Sequence, residues 1–184
     1  MKKLMMIAAM VLMSTGAFAQ EMFIKPMVGG TLTTLTGDAS DDAKMKVGLV
    51  AGAEFGYLFN ENMGVTAGLL YSMQGCKSKA MDENMNLDYL NIPILFNYYV
   101  APGLALKAGV QPGFLMRAKV DGHDYKDYYK KIDLAIPMGA SYEISDFVID
   151  ARYNLGAIFN IADYGDTKTH NSVIQLTVGY KIPF

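Results

Sequence analysis

Eight stretches of about 13 residues with apolar side chains at every second position, connections that alternate between long and short, and charges held almost wholly to one strand face predict an all-β chain, an eight-stranded antiparallel up-and-down transmembrane β-barrel. Period-two alternation marks a strand whose two faces meet different surroundings. Long loops at one end and tight turns at the other, with an even number of strands, describe an up-and-down barrel that crosses a membrane. A soluble sandwich has no reason to sort its connections in this way.

The chain opens on a leader. Lys2 and Lys3 precede an uninterrupted apolar run from Leu4 to Met13, and Ala17-Phe18-Ala19 offers a small-x-small cleavage site before Gln20. These are the three parts of a secretory signal. The run has about half the ~20 residues a membrane-spanning helix needs. Residues 1–19 are therefore expected to be a signal peptide and 20–184 a single barrel domain. No Cys follows the cleavage site, so no N-terminal lipid is expected. Past residue 19 the apolar runs are as short as Ile92 to Phe96, which leaves no transmembrane helix.

Composition excludes several function classes. The 184 residues carry 16 basic and 18 acidic side chains, net −2, which becomes −4 once Lys2 and Lys3 leave with the leader. Scattered charge of that sign does not suit a nucleic-acid partner. One Cys rules out a disulfide framework and a multi-cysteine metal site, and no cofactor is expected.

In chain order the strands are expected at 22–34, 47–59, 63–75, 87–100, 104–117, 132–144, 147–161 and 172–184. The short connections are Asn60-Glu61-Asn62, Ala101-Pro102-Gly103 and Ser145-Asp146, all with residues that favour tight turns. The long ones, near 35–46, 76–86, 118–131 and 162–171, are rich in Asp, Lys, Gly and Asn. A strand of about 13 residues tilted by about 40° rises roughly 33 Å, enough for the ~25 Å apolar band of an outer membrane.

Charge tests the assignment of faces, because a charge facing lipid costs ~2–4 kcal/mol near the midplane. The apolar face carries Ile24, Val28 and Leu32 at its start and Ile174, Leu176 and Val178 at its end, with matching residues on every strand between. Nine charges fall on the other face: Lys25, Glu54, Lys107, Arg117, Asp133, Glu143, Asp150, Arg152 and Lys181. Asp88 is the exception, at the loop end of its strand. The outside is thus apolar and the inside polar, the reverse of a lipocalin. The inward charges should pair and plug a lumen only just wide enough for its own side chains. Asp150 and Arg152 are the expected anchors, with Glu54, Lys107 and Glu143 as partners, and inward glycines make room for the long side chains. Aromatic residues gather beside the short turns, namely Tyr57, Phe59, Tyr98, Tyr142, Phe147, Tyr180 and Phe184, with Tyr71, Phe114 and Phe159 toward the long loops. They read as membrane-interface girdles.

Four segments carry a family resemblance: Tyr89-Leu90-Asn91-Ile92-Pro93-Ile94-Leu95, Ala108-Gly109-Val110-Gln111-Pro112-Gly113, Asp150-Ala151-Arg152-Tyr153-Asn154-Leu155-Gly156 and Val178-Gly179-Tyr180-Lys181-Ile182-Pro183-Phe184. The chain resembles the outer-membrane β-barrel family often labelled porin family protein, of Bacteroidetes-type Gram-negative bacteria, and is similar in architecture to eight-stranded barrels of the outer-membrane protein X type. Asn91 stands where that family usually has an acid. The resemblance implies location in the outer membrane, contact with its lipid, and recognition of the C-terminal strand, ending in Phe184, by the barrel assembly machinery.

Chemistry has few places to be. There is no Gly-x-Ser-x-Gly, His-Glu-x-x-His or phosphate loop, and the only histidines, His123 and His170, fall in long loops. Asp121, His123 and Asp124 read as a solvated loop before a metal site. His170 and Ser172 at the rim of the last strand lack a clear acidic third member for a lipid-modifying enzyme. Tyr125, Tyr128 and Tyr129 in the third long loop are candidate contacts for an extracellular ligand or host surface. The sequence thus predicts a non-catalytic structural or surface-interaction barrel, adhesin-like, with a plugged polar lumen. A narrow porin-like channel for small solutes or ions is the alternative, and a lipid-modifying enzyme a remote one.

Overall fold

The computed structural model describes residues 21–37, 43–78, 84–120, 123–124, 132–156 and 169–184. Residues 1–19, where the leader is expected, together with Asp121, Tyr125, Tyr128, Tyr129 and Phe159, lie outside the described residues.

Each alternating stretch forms a strand, and the strands close on themselves. In chain order they are β1 (Glu21–Gly37), β2 (Ala43–Lys44), β3 (Lys46–Asn60), β4 (Met63–Ser78), β5 (Asn84–Asn91), β6 (Ile94–Ala101), β7 (Leu104–Val120), β8 (His123–Asp124), β9 (Ile132–Ile144), β10 (Phe147–Gly156), β11 (Thr169–Tyr180) and β12 (Ile182–Pro183). All pairings are antiparallel between neighbours, and β1 pairs with both β3 and β11, which shuts the barrel. Eight staves result. β5 and β6 make one of them, interrupted at Ile92-Pro93 because proline has no N–H to give the ladder. The stave keeps its register through the break: Gly68 donates to the Pro93 carbonyl at 2.9 Å and Ile92 to that of Pro112 at 2.8 Å. The stretch 87–100, read from the sequence as a single strand, is therefore one stave in two pieces. Cys76 lies within β4, not in a loop, since β4 runs on to Ser78.

Three tight turns sit at one end. Asn60 Oδ1 accepts from the amides of Asn62 and Met63, both at 2.9 Å, an Asx turn that explains the asparagine. Pro102 and Gly103 turn the chain into β7, and Gly103 has φ 77°, a backbone state that a side chain would strain. Ser145 turns β9 into β10 at φ 54°. The first and last described strand segments meet here too, where the Phe184 amide donates to the Met22 carbonyl at 3.0 Å.

The faces follow the alternation. β10 is exposed and buried at strictly alternate residues. Exposed Ile24, Val28, Leu49, Leu69, Ile94, Phe96, Leu106, Ile136, Leu176 and Val178 make the outer surface apolar. The inside is less uniformly polar than expected. Beside Thr31, Gln111, Asn154 and Gln175 it holds Met27, Val50 and Leu70 as one apolar cluster and Leu87, Tyr89, Leu115 and Ala118 as another. Closed packing in a narrow barrel rewards any side chain of suitable volume, so inward positions need not all be polar.

Candidate functional site: the ionic cluster across the lumen

Lys25 and Glu54 face each other in the β1–β3 register, and their ion pair measures 2.9 Å. Asp150 and Arg152, two apart on β10, point the same way because strand side chains alternate. Arg152 binds the Asp150 carboxylate through Nε and Nη2 and reaches Glu54 through Nη1. Lys107, on β7, donates to Asp150 at 2.6 Å, and Lys25 stands 3.6 Å from the same oxygen. All five side chains are buried. Their strands, β1, β3, β7 and β10, lie around the whole circumference, so the ion pairs run from wall to wall. Three cations against two acids leave the cluster formally at +1.

Glycines allow these crossings. A Cβ on Gly68 would stand 2.7 Å from Glu54 Cγ, and one on Gly179 2.9 Å from Lys25 Cγ. Gly139 faces both Lys107 and Arg152 in the register, so β9 puts no side chain between those two.

The other expected lumen charges distribute differently. Glu143 does not join Asp150 and Arg152. It sits at the turn end, where it accepts from Tyr99 Oη at 2.7 Å and pairs with Lys181 at 3.4 Å. Lys181 also reaches Glu21 at 3.2 Å and lies over the Phe23 ring at 4.7 Å. Asp133 is half-buried opposite Gly113, away from the cluster. Arg117 is a correction, because it faces outward. The β5–β7 register pairs Tyr89 with Leu115 but Asp88 with Arg117, so Met116 is an extra residue that inverts the alternation above it. The Arg117 side chain is 57% exposed and stands 3.6 Å from Asp88. Asp88, the outward exception in the sequence, is covered by this partner and by Tyr71, whose hydroxyl donates to it at 2.7 Å.

Among the interface aromatics, Phe59, Tyr98, Tyr142, Phe147, Tyr180 and Phe184 are exposed. Tyr57 is a second correction: it is only 7% exposed, its ring edge-on to Phe59 at 5.3 Å. Phe147 and Tyr180, a cross-strand pair, meet edge-on at 5.2 Å, and the Tyr180 hydroxyl donates to Asp146 at 3.2 Å. Ser172, placed with His170 at the rim of the last strand, is buried.

The sequence matches the model of the outer membrane protein beta-barrel domain over residues 5–181. The chain belongs to this outer-membrane β-barrel family. Its place is the cell outer membrane, where barrels of this kind keep their tight turns on the periplasmic side. No curated protein matches the sequence. Among solved structures, Neisserial surface protein A is similar with a TM-score of 0.62 at 15% identity, covering 86% of this chain and 97% of that one. Ail, the attachment invasion locus protein of Yersinia pestis, solved with the heparin analogue sucrose octasulfate, gives 0.56 at 18% identity over 90% of this chain and 100% of its own. Ail in a phospholipid bilayer nanodisc gives 0.53 at 16% identity, with 87% and 99% covered. At these identities the likeness is one of fold.

Proposed function

We propose that this outer-membrane barrel is a non-catalytic structural or surface-interaction protein, adhesin-like, whose lumen is plugged by its own side chains. The observation that carries the reading is the buried cluster of Lys25, Glu54, Lys107, Asp150 and Arg152, tied from wall to wall across an eight-stave barrel. With the interior so occupied, interaction falls to the outer loops, where Tyr125, Tyr128 and Tyr129 supply contact area for an extracellular ligand or host surface. That Ail is named for attachment and was solved with a heparin analogue supports the reading by likeness of fold. The signal peptide is cut after Ala19, and the barrel assembly machinery reads the C-terminal strand through Phe184.

A second reading, a narrow path for small solutes or ions, draws on the buried polar atoms Thr33 Oγ1, Gln111 Oε1, Asn154 Oδ1 and Gln175 Nε2, which lack a hydrogen-bond partner among the described residues. Groups of this kind are ordinarily satisfied by internal water. One experiment separates the two. The mature chain, refolded into a planar lipid bilayer, is expected to be electrically silent while migrating on gels as a heat-modifiable barrel. Reproducible discrete conductance steps, altered in Glu54→Gln, would replace the plug with a pore. Deletion of 125–129 is expected to abolish surface binding without unfolding the barrel.

A further inference from the structure

Above Val50 and Ser72 the β3–β4 ladder stops, and a cavity of about 340 Å³ opens there, lined by Lys46, Val47, Leu49, Met73, Asp88 and Arg117. The Met73 carbonyl at this break is turned toward β1, where Thr31 Oγ1 donates to it at 2.9 Å. Lys46 Nζ donates to the Gln74 carbonyl at 3.2 Å, which holds the ammonium beside the opening. We infer that this cleft binds the phosphate of an anionic lipid of the outer leaflet, with Arg117 as the principal ligand and Lys46 as a second cation.

Three observations carry this. The first is position: Arg117 stands about 13 residues up β7 from the turn, roughly 33 Å at the usual rise and tilt, which is the headgroup level beyond a ~25 Å apolar band. The second is the incomplete partnership of Arg117. Its guanidinium has five donors, yet among the described residues it meets only Asp88, at 3.6 Å and through an oxygen already taken by Tyr71 at 2.7 Å. At headgroup level the group that meets such a guanidinium is a phosphate, which matches its fork with two parallel hydrogen bonds. The third is the apolar part of the lining: Val47 (74% exposed), Leu49 and Met73 belong to the apolar outer wall, a bed for acyl chains attached to the same phosphate. Arg117, met only in part by Asp88, calls for an anion, and the apolar lining commits the occupant to an amphiphile in place of a free ion.

The test is native mass spectrometry of the detergent-solubilised barrel, titrated separately with bis-phosphorylated lipid A, the same lipid after phosphatase treatment, phosphatidylethanolamine, and inorganic phosphate. Wild type is expected to hold the phosphorylated lipid at least tenfold more tightly than the dephosphorylated one. Arg117→Glu is expected to erase that preference, and Arg117→Lys, which loses the two-pronged geometry, to keep part of it. Arg117→Gln carries the same test should the charge reversal hinder insertion, and heat-modifiable migration verifies each fold. Equal retention of the two lipid A forms, or a preference undiminished in Arg117→Gln, would overturn the inference. Competition by inorganic phosphate at concentrations equal to the lipid would overturn the lipid as occupant.

Discussion

Lys107 and Asp150 meet at 2.6 Å across β9, the strand that separates theirs. Asp150 thereby collects Lys107, Arg152 and Lys25, and Glu54 collects Arg152 and Lys25. With the cluster at +1, its acids matter more than its bases. Asp150→Asn would leave +2 among buried side chains, and a loss of about 3–5 kcal/mol is expected, the usual cost of stranding buried charge. Arg152→Met brings the formal sum to zero and leaves Glu54 with Lys25 and Asp150 with Lys107, so its loss is expected to be clearly smaller. Urea unfolding in lipid vesicles ranks the two, and the reverse order would mean that the cluster is not held as described.

Gly68 lies under the Glu54 side chain. Gly68→Val places branched carbon where Glu54 Cγ now lies, and overpacking of about 1–3 kcal/mol is expected. The check is the urea midpoint, with the outward and exposed Ala67→Val as the matched control.

On the outer wall, depth sets the cost of a charge. Leu176 is 56% exposed and pairs with Gly30 and Ala151 in mid-strand, whereas Phe147 begins β10 beside a turn. Leu176→Arg is expected to cost ~2–4 kcal/mol and Phe147→Arg ~0–1 kcal/mol for the charge alone. Equal penalties in vesicle unfolding would contradict the placement of the membrane.

Met116 is the one surplus residue of β7. Deleting it restores a regular ladder in which Leu115 and Ala118 stay inside and Arg117 stays outside. The deleted protein is expected to remain a heat-modifiable barrel. Failure to fold would show that the bulge is needed, or that Arg117 faces the lumen after all.

That bulge also marks where the sequence stops being legible. Period-two alternation gave the strand positions and the apolar wall, since every slip of one residue would turn leucine and isoleucine inward. One extra residue inverts everything beyond it, and neither Met116 nor Arg117 is out of place on the face it was not assigned. Tyr57 lies on the outward alternation yet is covered by its neighbours, which no pattern along a single strand reveals. In the lumen, Asp150, Arg152, Glu54 and Lys107 were found as charges on one face. Their assortment was harder: Lys25 joins them while Glu143 goes to Lys181, because height along the barrel depends on the offsets between strands, and those are set by the turns.

The seam between β1 and β11 differs from every other interface in the barrel. Seven interfaces join segments consecutive in the chain, and each can zip from a local connection. The eighth brings Met27 to Gly179 and Met22 to Phe184, segments about 150 residues apart, for which the loop-closure entropy is greatest. Contact at this seam is close, since a Cβ on Gly29 would run into the Leu176 carbonyl. Until it shuts, β1 and β11 each present a row of unpaired backbone groups that hydrocarbon cannot solvate. Closure is therefore the last and most collective step of folding, and the leading strand has to be kept from other partners for as long as the final strand takes to arrive.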